Sequence, residues 1–134
     1  MRQWVIELPW ATPPLSLNAG YGNHYARARK VKEVRQTAGL LARKAGIPRG
    51  LERIEVQIIW YVPDRKRRDT DNVVPTLKAV CDGLTHHGRR TYPTDWPVVP
   101  DDVPQHMAKP EPRIVYRKGC RKRLVLVVTD LGGV

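Results

Sequence analysis

The chain has 134 residues, enough for one domain with a core of its own and no need of cross-links. Its 24 Lys and Arg against 13 Asp and Glu leave a formal charge of +11, a balance that favours polyanionic partners. A hydrophobic fraction of 41% with four Trp argues against disorder, and twelve Pro with ten Gly argue against a simple helical bundle.

The two cysteines, Cys81 and Cys120, show no metal-binding spacing and are expected to be reduced thiols. The N-terminal residues lack the apolar run of a signal peptide, and no stretch has the length of a membrane span. A cytoplasmic protein without membrane contact is the expectation.

Trp4 to Leu8 is a short apolar run stopped by Pro9, and it predicts a first strand. Turn residues fill 12–20, and a helix is expected from about His24 to Ala45. There Val31, Val34, Ala38, Leu41 and Ala45 gather on one stripe, and Gly46 and Pro48 end it. Arg29, Lys32, Gln36 and Arg43 fall on the opposite face. Residues 27–44 carry seven cations and one acid, which makes this helix a candidate phosphate-contacting face. Leu40 lies off the apolar stripe and points to a subunit contact.

Ile54 to Val62 reads as a buried strand closed by Pro63. Behind it comes Arg65-Lys66-Arg67-Arg68-Asp69-Thr70-Asp71-Asn72, four cations running into two carboxylates. A second helix follows, with Leu77, Val80, Cys81 and Leu84 on one side. Pro75 stands in its first turn and disfavours helical geometry at Val74. Residues 85–97 are expected to form a polar loop that includes His86 and His87. Val98-Val99 would be a brief extended segment delivering Asp101-Asp102, and 104–112 another loop. Arg113–Arg117 and Arg123–Thr129 would close a β-hairpin around Lys118-Gly119-Cys120. The fold class is α/β (α+β), a small mixed sheet with two helices against it, in one domain spanning 1–134.

Acids are scarce in this chain, so their positions carry information. In an extended loop Asp69 and Asp71 project to one side and could share a divalent ion, with Asp102 or Asp101 completing the set from a distant segment. The competing reading is that Asp71 caps the helix and Asp69 starts a turn. Lys78 and Asp82 follow Asp71 on one helical face, where Lys78 could neutralise a phosphate or simply pair with Asp82. The four histidines, His24 among them, form no zinc spacing. Asn18 could orient a phosphate.

Together these motifs resemble the RusA-type crossover-junction endodeoxyribonucleases, including versions carried by phages and prophages. The resemblance runs through Leu8-Pro9-Trp10, Pro13-Pro14, Asn18, Pro63-Asp64-Arg65, Arg68-Asp69-Thr70-Asp71-Asn72, Lys78 to Leu84, and Val99-Pro100-Asp101-Asp102. It implies a RusA-like homodimer that resolves four-way (Holliday) DNA junctions by paired nicks with Mg²⁺, for which Mn²⁺ could substitute. Carried over by position, Asp69, Asp71 and Asp102 are the metal-binding catalytic carboxylates, with Asp101 beside them and Lys78 the catalytic lysine. Asp82 and Asn72 are accessory. Arg65, Lys66, Arg67, Arg68, Arg29, Lys32, Arg43 and Asn18 would contact DNA. Two features depart from the pattern: Lys78 falls three residues later than the family's lysine, and the loop 85–97 is long. A broader branched-DNA nuclease and a non-catalytic nucleic-acid-binding module are the alternative expectations.

Overall fold

Strand β2 (Ile54–Val62) alternates strictly between buried and part-exposed residues, and this period of two fixes how the molecule is layered. Ile54, Val56, Ile58, Trp60 and Val62 point into the core, while Glu55, Gln57, Ile59 and Tyr61 line the opposite face. The computed structural model describes residues 2–16, 24–85 and 95–132. The remaining elements are β1 (Gln3–Glu7), α1 (His24–Lys44), a 3₁₀ turn (Thr70–Asn72), α2 (Val74–Gly83), β3 (Met107–Ala108), β4 (Arg113–Tyr116) and β5 (Arg123–Asp130). The fold is mixed α+β, with two helices and a five-stranded mixed sheet.

The sheet runs β1-β5-β2, and β3 and β4 share the far side of β2. β5 is antiparallel to both β1 and β2, whereas β3 and β4 run parallel to β2. β5 therefore has neighbours on both sides, which suits its apolar run Leu124 to Val128. Inward residues of β1, β2 and β5 meet Leu77, Val80 and Cys81 of α2 and its capping Leu84 in one core, and α1 adds Val34, Ala38 and Ala42. Each large aliphatic side chain buried there contributes about 1.5–3 kcal/mol.

The two helices approach closely at Gly83. A Cβ at that position would overlap the carbonyl oxygen of Arg35 and lie 3.0 Å from the Ala38 Cβ, so only glycine fits without displacement. Small residues on α1 (Ala38, Gly39, Ala42) complete the contact.

Three expectations need correction. Arg113–Tyr116 and Arg123–Asp130 form no hairpin: β4 and β5 pair with opposite sides of β2, and residues 117–122 arch over its end, with Arg117 N donating to Val62 O at 2.9 Å. Val74 is the first residue of α2 in spite of Pro75, because the preceding 3₁₀ turn leaves Val73 already in αR geometry and proline's missing N–H has no partner at a helix start. Val98-Val99 is no strand; the pair is buried and both N–H groups donate to Leu84 O. The extra strand lies instead at Met107–Ala108, inside the stretch expected as loop. Leu40 is 48% exposed, as its position off the stripe predicts.

Candidate active site

The site begins where β2 ends. After Pro63 the chain turns back, and Asp64 holds the turn: its carboxylate accepts from Lys66 N at 3.0 Å and from Arg68 Nη1 at 2.8 Å. The Arg68 hydrogen bond, more than any other influence, holds the Asp64 carboxyl below the usual carboxylate range. Arg68 also stacks on Trp60, 5.4 Å from the ring centroid, with only 11% of its side chain exposed. Of the four cations in the run, Arg68 thus fixes the loop, and Arg65, Lys66 and Arg67 remain exposed.

Asp69 is extended (φ −110°, ψ 132°) and caps the 3₁₀ turn, its Oδ1 accepting from Asp71 N at 3.0 Å. Capping frees the next acid to face elsewhere. Asp71 lines a cleft of about 440 Å³ together with Lys78 and Asp82 from α2, Arg27 and Val31 from α1, and Leu15. Asp69, with Asn72, Arg67 and Arg68, lines a different cleft beneath Trp60. The expectation that both carboxylates project to one side therefore fails, because residues 70–72 coil into a 3₁₀ turn rather than continuing extended.

Leu15 reaches the cleft because of one buried polar contact. Thr76 Oγ1 donates to Leu15 O at 2.8 Å and accepts from Leu15 N at 3.2 Å, stitching the proline-rich loop to the first turn of α2. Thr70 Oγ1 donates to Glu111 Oε1 at 2.7 Å and ties the 3₁₀ turn to the segment before β4.

The second acid pair repeats the arrangement of the first. Asp101 Oδ1 accepts from Asp102 N at 2.7 Å, and Asp102 is thereby turned inward. Its carboxyl lies 3.6 Å from Lys109 Nζ, and Asp82 is near enough to bear on its ionisation. Partial burial works against ionisation of Asp102, but the Lys109 charge and the hydrogen bonds with Asp101 and Asp82 outweigh it. The carboxyl is held below the usual carboxylate range. Two carboxylates this close repel unless a proton or a cation stands between them. Asp82 therefore links Asp102 to the cleft that Asp71 and Lys78 line. Among the described residues, no three such acids converge as a ready-made metal cage.

Behind Asp82 the Cys81 thiol is buried, and desolvation pushes its pKa up to about 12, with Asp82 and Asp102 adding to the rise against the pull of Lys109. It is an inert packing residue.

Lys109 and Arg27 were not expected at the site. Lys109 is isolated between prolines and gives no local signal; Arg27 was one of seven cations on α1 with nothing to single it out. The rest of that helix behaves differently from its first turn. Arg29 and Lys32 are exposed, and Arg43 stacks on Trp96 at 5.5 Å, about 24 Å along the axis from Arg27. Asn18, His86 and His87 lie outside the described residues.

No family model matches the chain. A protein from Xylella fastidiosa, named only as an uncharacterized protein, is 36% identical over 85 residues. The match covers 59% of this chain, which spans about half (54%) of that relative's length. No helix among the described residues is long and apolar enough to cross a membrane.

Proposed function

We propose that the chain is a Mg²⁺-dependent, structure-selective endonuclease of RusA type that resolves four-way DNA junctions. The observation that carries this reading is the joining of Asp71, Lys78 and Asp82 on one cleft, with Asp102 brought against Asp82 from twenty residues away. In a chain of charge +11, packing has drawn acids together instead of dispersing them.

The donor set fits Mg²⁺ in kind. These are hard oxygens in two pairs, and Mg²⁺ is commonly held by one or two carboxylates, the remaining positions going to water and substrate phosphate. Asp71 and Asp102 would hold it, with Asp82 the carboxylate beside them and Asp69 fixing Asp71 through its cap. Bound there, Mg²⁺ supplies neutralisation of the scissile phosphate and activation of the attacking water. Lys78 faces the same cleft and stabilises charge developing on the phosphate oxygens, and Arg27 adds a second cation from α1. Lys109 holds Asp102 ionised and in place. Lys78 lies one helical turn further along α2 than the family's lysine would, on roughly the same face.

Symmetrical nicking needs two such sites, so the active species is a homodimer. Exposed Leu40 (48%) and Tyr25 (67%) on α1 offer apolar surface for it. The catalytic test is Asp71→Asn on a labelled four-way junction with and without Mg²⁺. The parent should make paired nicks only with metal, and the variant should lose them by about 100-fold or more while binding is kept or tightened. A parent protein that binds the junction without cutting it would reduce the chain to a binding module. One that cuts linear duplex equally well would make it a general nuclease.

A further inference from the structure

The arch that replaces the expected hairpin creates a second surface, away from the cleft. Tyr61 is the last residue of β2 on the face opposite the core, and β4 and β5 flank it on either side. Arg123 is its direct partner on β5, and Arg117 follows two residues after its β4 partner Val115. Both guanidinium groups consequently lie against one ring, with Cζ 4.4 Å and 5.1 Å from its centroid. Arg65, from the loop leading to the cleft, stacks in the same way on Tyr116 at 4.7 Å, at the same end of the sheet but on the face of Val62, the β2 partner of Tyr116. Lys118 and Lys122 are exposed on the arch between.

None of these five cations is ion-paired among the described residues; of the acids at this end, Glu7 is taken by Arg121 at 2.5 Å and Asp64 by Arg68 at 2.8 Å. Gathering five like charges is unfavourable in the free protein and is relieved when a polyanion binds. The tyrosine rings hold the guanidinium planes in place without spending their N–H groups, and such planes match phosphate oxygens two at a time. The cations spread over the ends of three strands instead of converging on one point, which suits a chain of phosphates better than a single one.

We infer that the Tyr61 end of the sheet is a duplex-DNA-binding surface that grips the phosphate backbone of an arm leaving the cleft. Arg65 connects it to the loop that carries Asp69. The identity of the polyanion rests on the nuclease reading; the surface itself does not.

The test is the affinity of the full chain for a fluorescent duplex, with Ca²⁺ in place of Mg²⁺, over a range of salt. Arg117→Gln/Arg123→Gln should bind about tenfold or more weakly and lower the slope of log affinity against log salt by about two. Arg117→Lys/Arg123→Lys should keep the slope and lose part of the affinity. Thermal melting at the parent temperature excludes misfolding as the cause. Parent affinity and slope in the glutamine variant overturn the surface, even where the parent protein cuts junctions. A lowered slope upholds it, even where the parent cuts nothing and the nuclease reading falls. Binding to phosphatidylglycerol vesicles that depends on these arginines, with DNA binding unaltered, would assign the surface to membranes and overturn it for DNA.

Discussion

The cleft between α1 and α2 sets acids among cations, the end of the sheet beyond Tyr61 gathers arginines on tyrosine rings, and the fold assembles the two by different means. In the cleft, acids arrive from two turns far apart in sequence. In each turn the first acid caps the backbone of the second, Asp69 for Asp71 and Asp101 for Asp102. At the sheet end, strand register alone sets Arg117 and Arg123 on either side of Tyr61. Each acid turn is shaped by its own cap, but only the packing of Val98 and Val99 against Leu84 brings the two turns together. The cations, by contrast, are placed by strand pairing. Damage to the core should therefore harm the cleft first.

The largest effect expected from a cation within the cleft is at Lys78. Lys78→Ala should slow cleavage at saturating junction by about 100-fold, with a loss in affinity no larger than one phosphate contact gives. Asp69→Asn, which keeps the cap and removes only the charge, should slow cleavage by about tenfold or more. Full activity there would reduce Asp69 to a capping residue.

Gly83→Ala tests the asymmetry. The new methyl group pushes α1 from α2 and should cost about 1–3 kcal/mol in urea unfolding. Junction cleavage should fall further than duplex binding, because α1 supplies one wall of the cleft and nothing at Tyr61. Equal losses would show that the two regions are not independent.

A milder probe uses the two thiols, one behind each region. Cys81, buried with its pKa near 12, should resist iodoacetamide at pH 8 in the folded protein. Cys120, half-exposed on the arch, should be alkylated, and bound duplex should slow that reaction. Rapid labelling of Cys81 would mean that the α2 wall opens readily.

Much of the frame was legible in the residues. The apolar run Ile54 to Val62, alternating at first and closed by Pro63, marks β2 at both ends, and the periodicity after His24 gives α1 to within one residue. The hairpin expectation failed because Gly119 between two strand patterns looks like a tight turn, while the relevant signal lay in β5 itself. An apolar run such as Leu124 to Val128 belongs to a strand paired on both edges, and β1 and β2 already fill those edges. Two residues of β3 offer too little pattern to be seen. At the site, the acids could be named from their scarcity, yet their grouping could not. The spacing of Asp69 and Asp71 reads as a shared ligand pair only if the loop stays extended. The contact of Asp82 with Asp102 depends on Val98 and Val99 being buried against Leu84, which no local spacing encodes.

The central claim is that the two acid turns work as one metal-dependent centre, and Asp102→Asn tests it most directly. Single-turnover cleavage of a labelled four-way junction should require Mg²⁺ in the parent. In the variant it should fall by about 100-fold or more, with junction affinity unchanged or higher. Cleavage by Asp102→Asn at the parent rate, or none by the parent in Mg²⁺, would contradict the account.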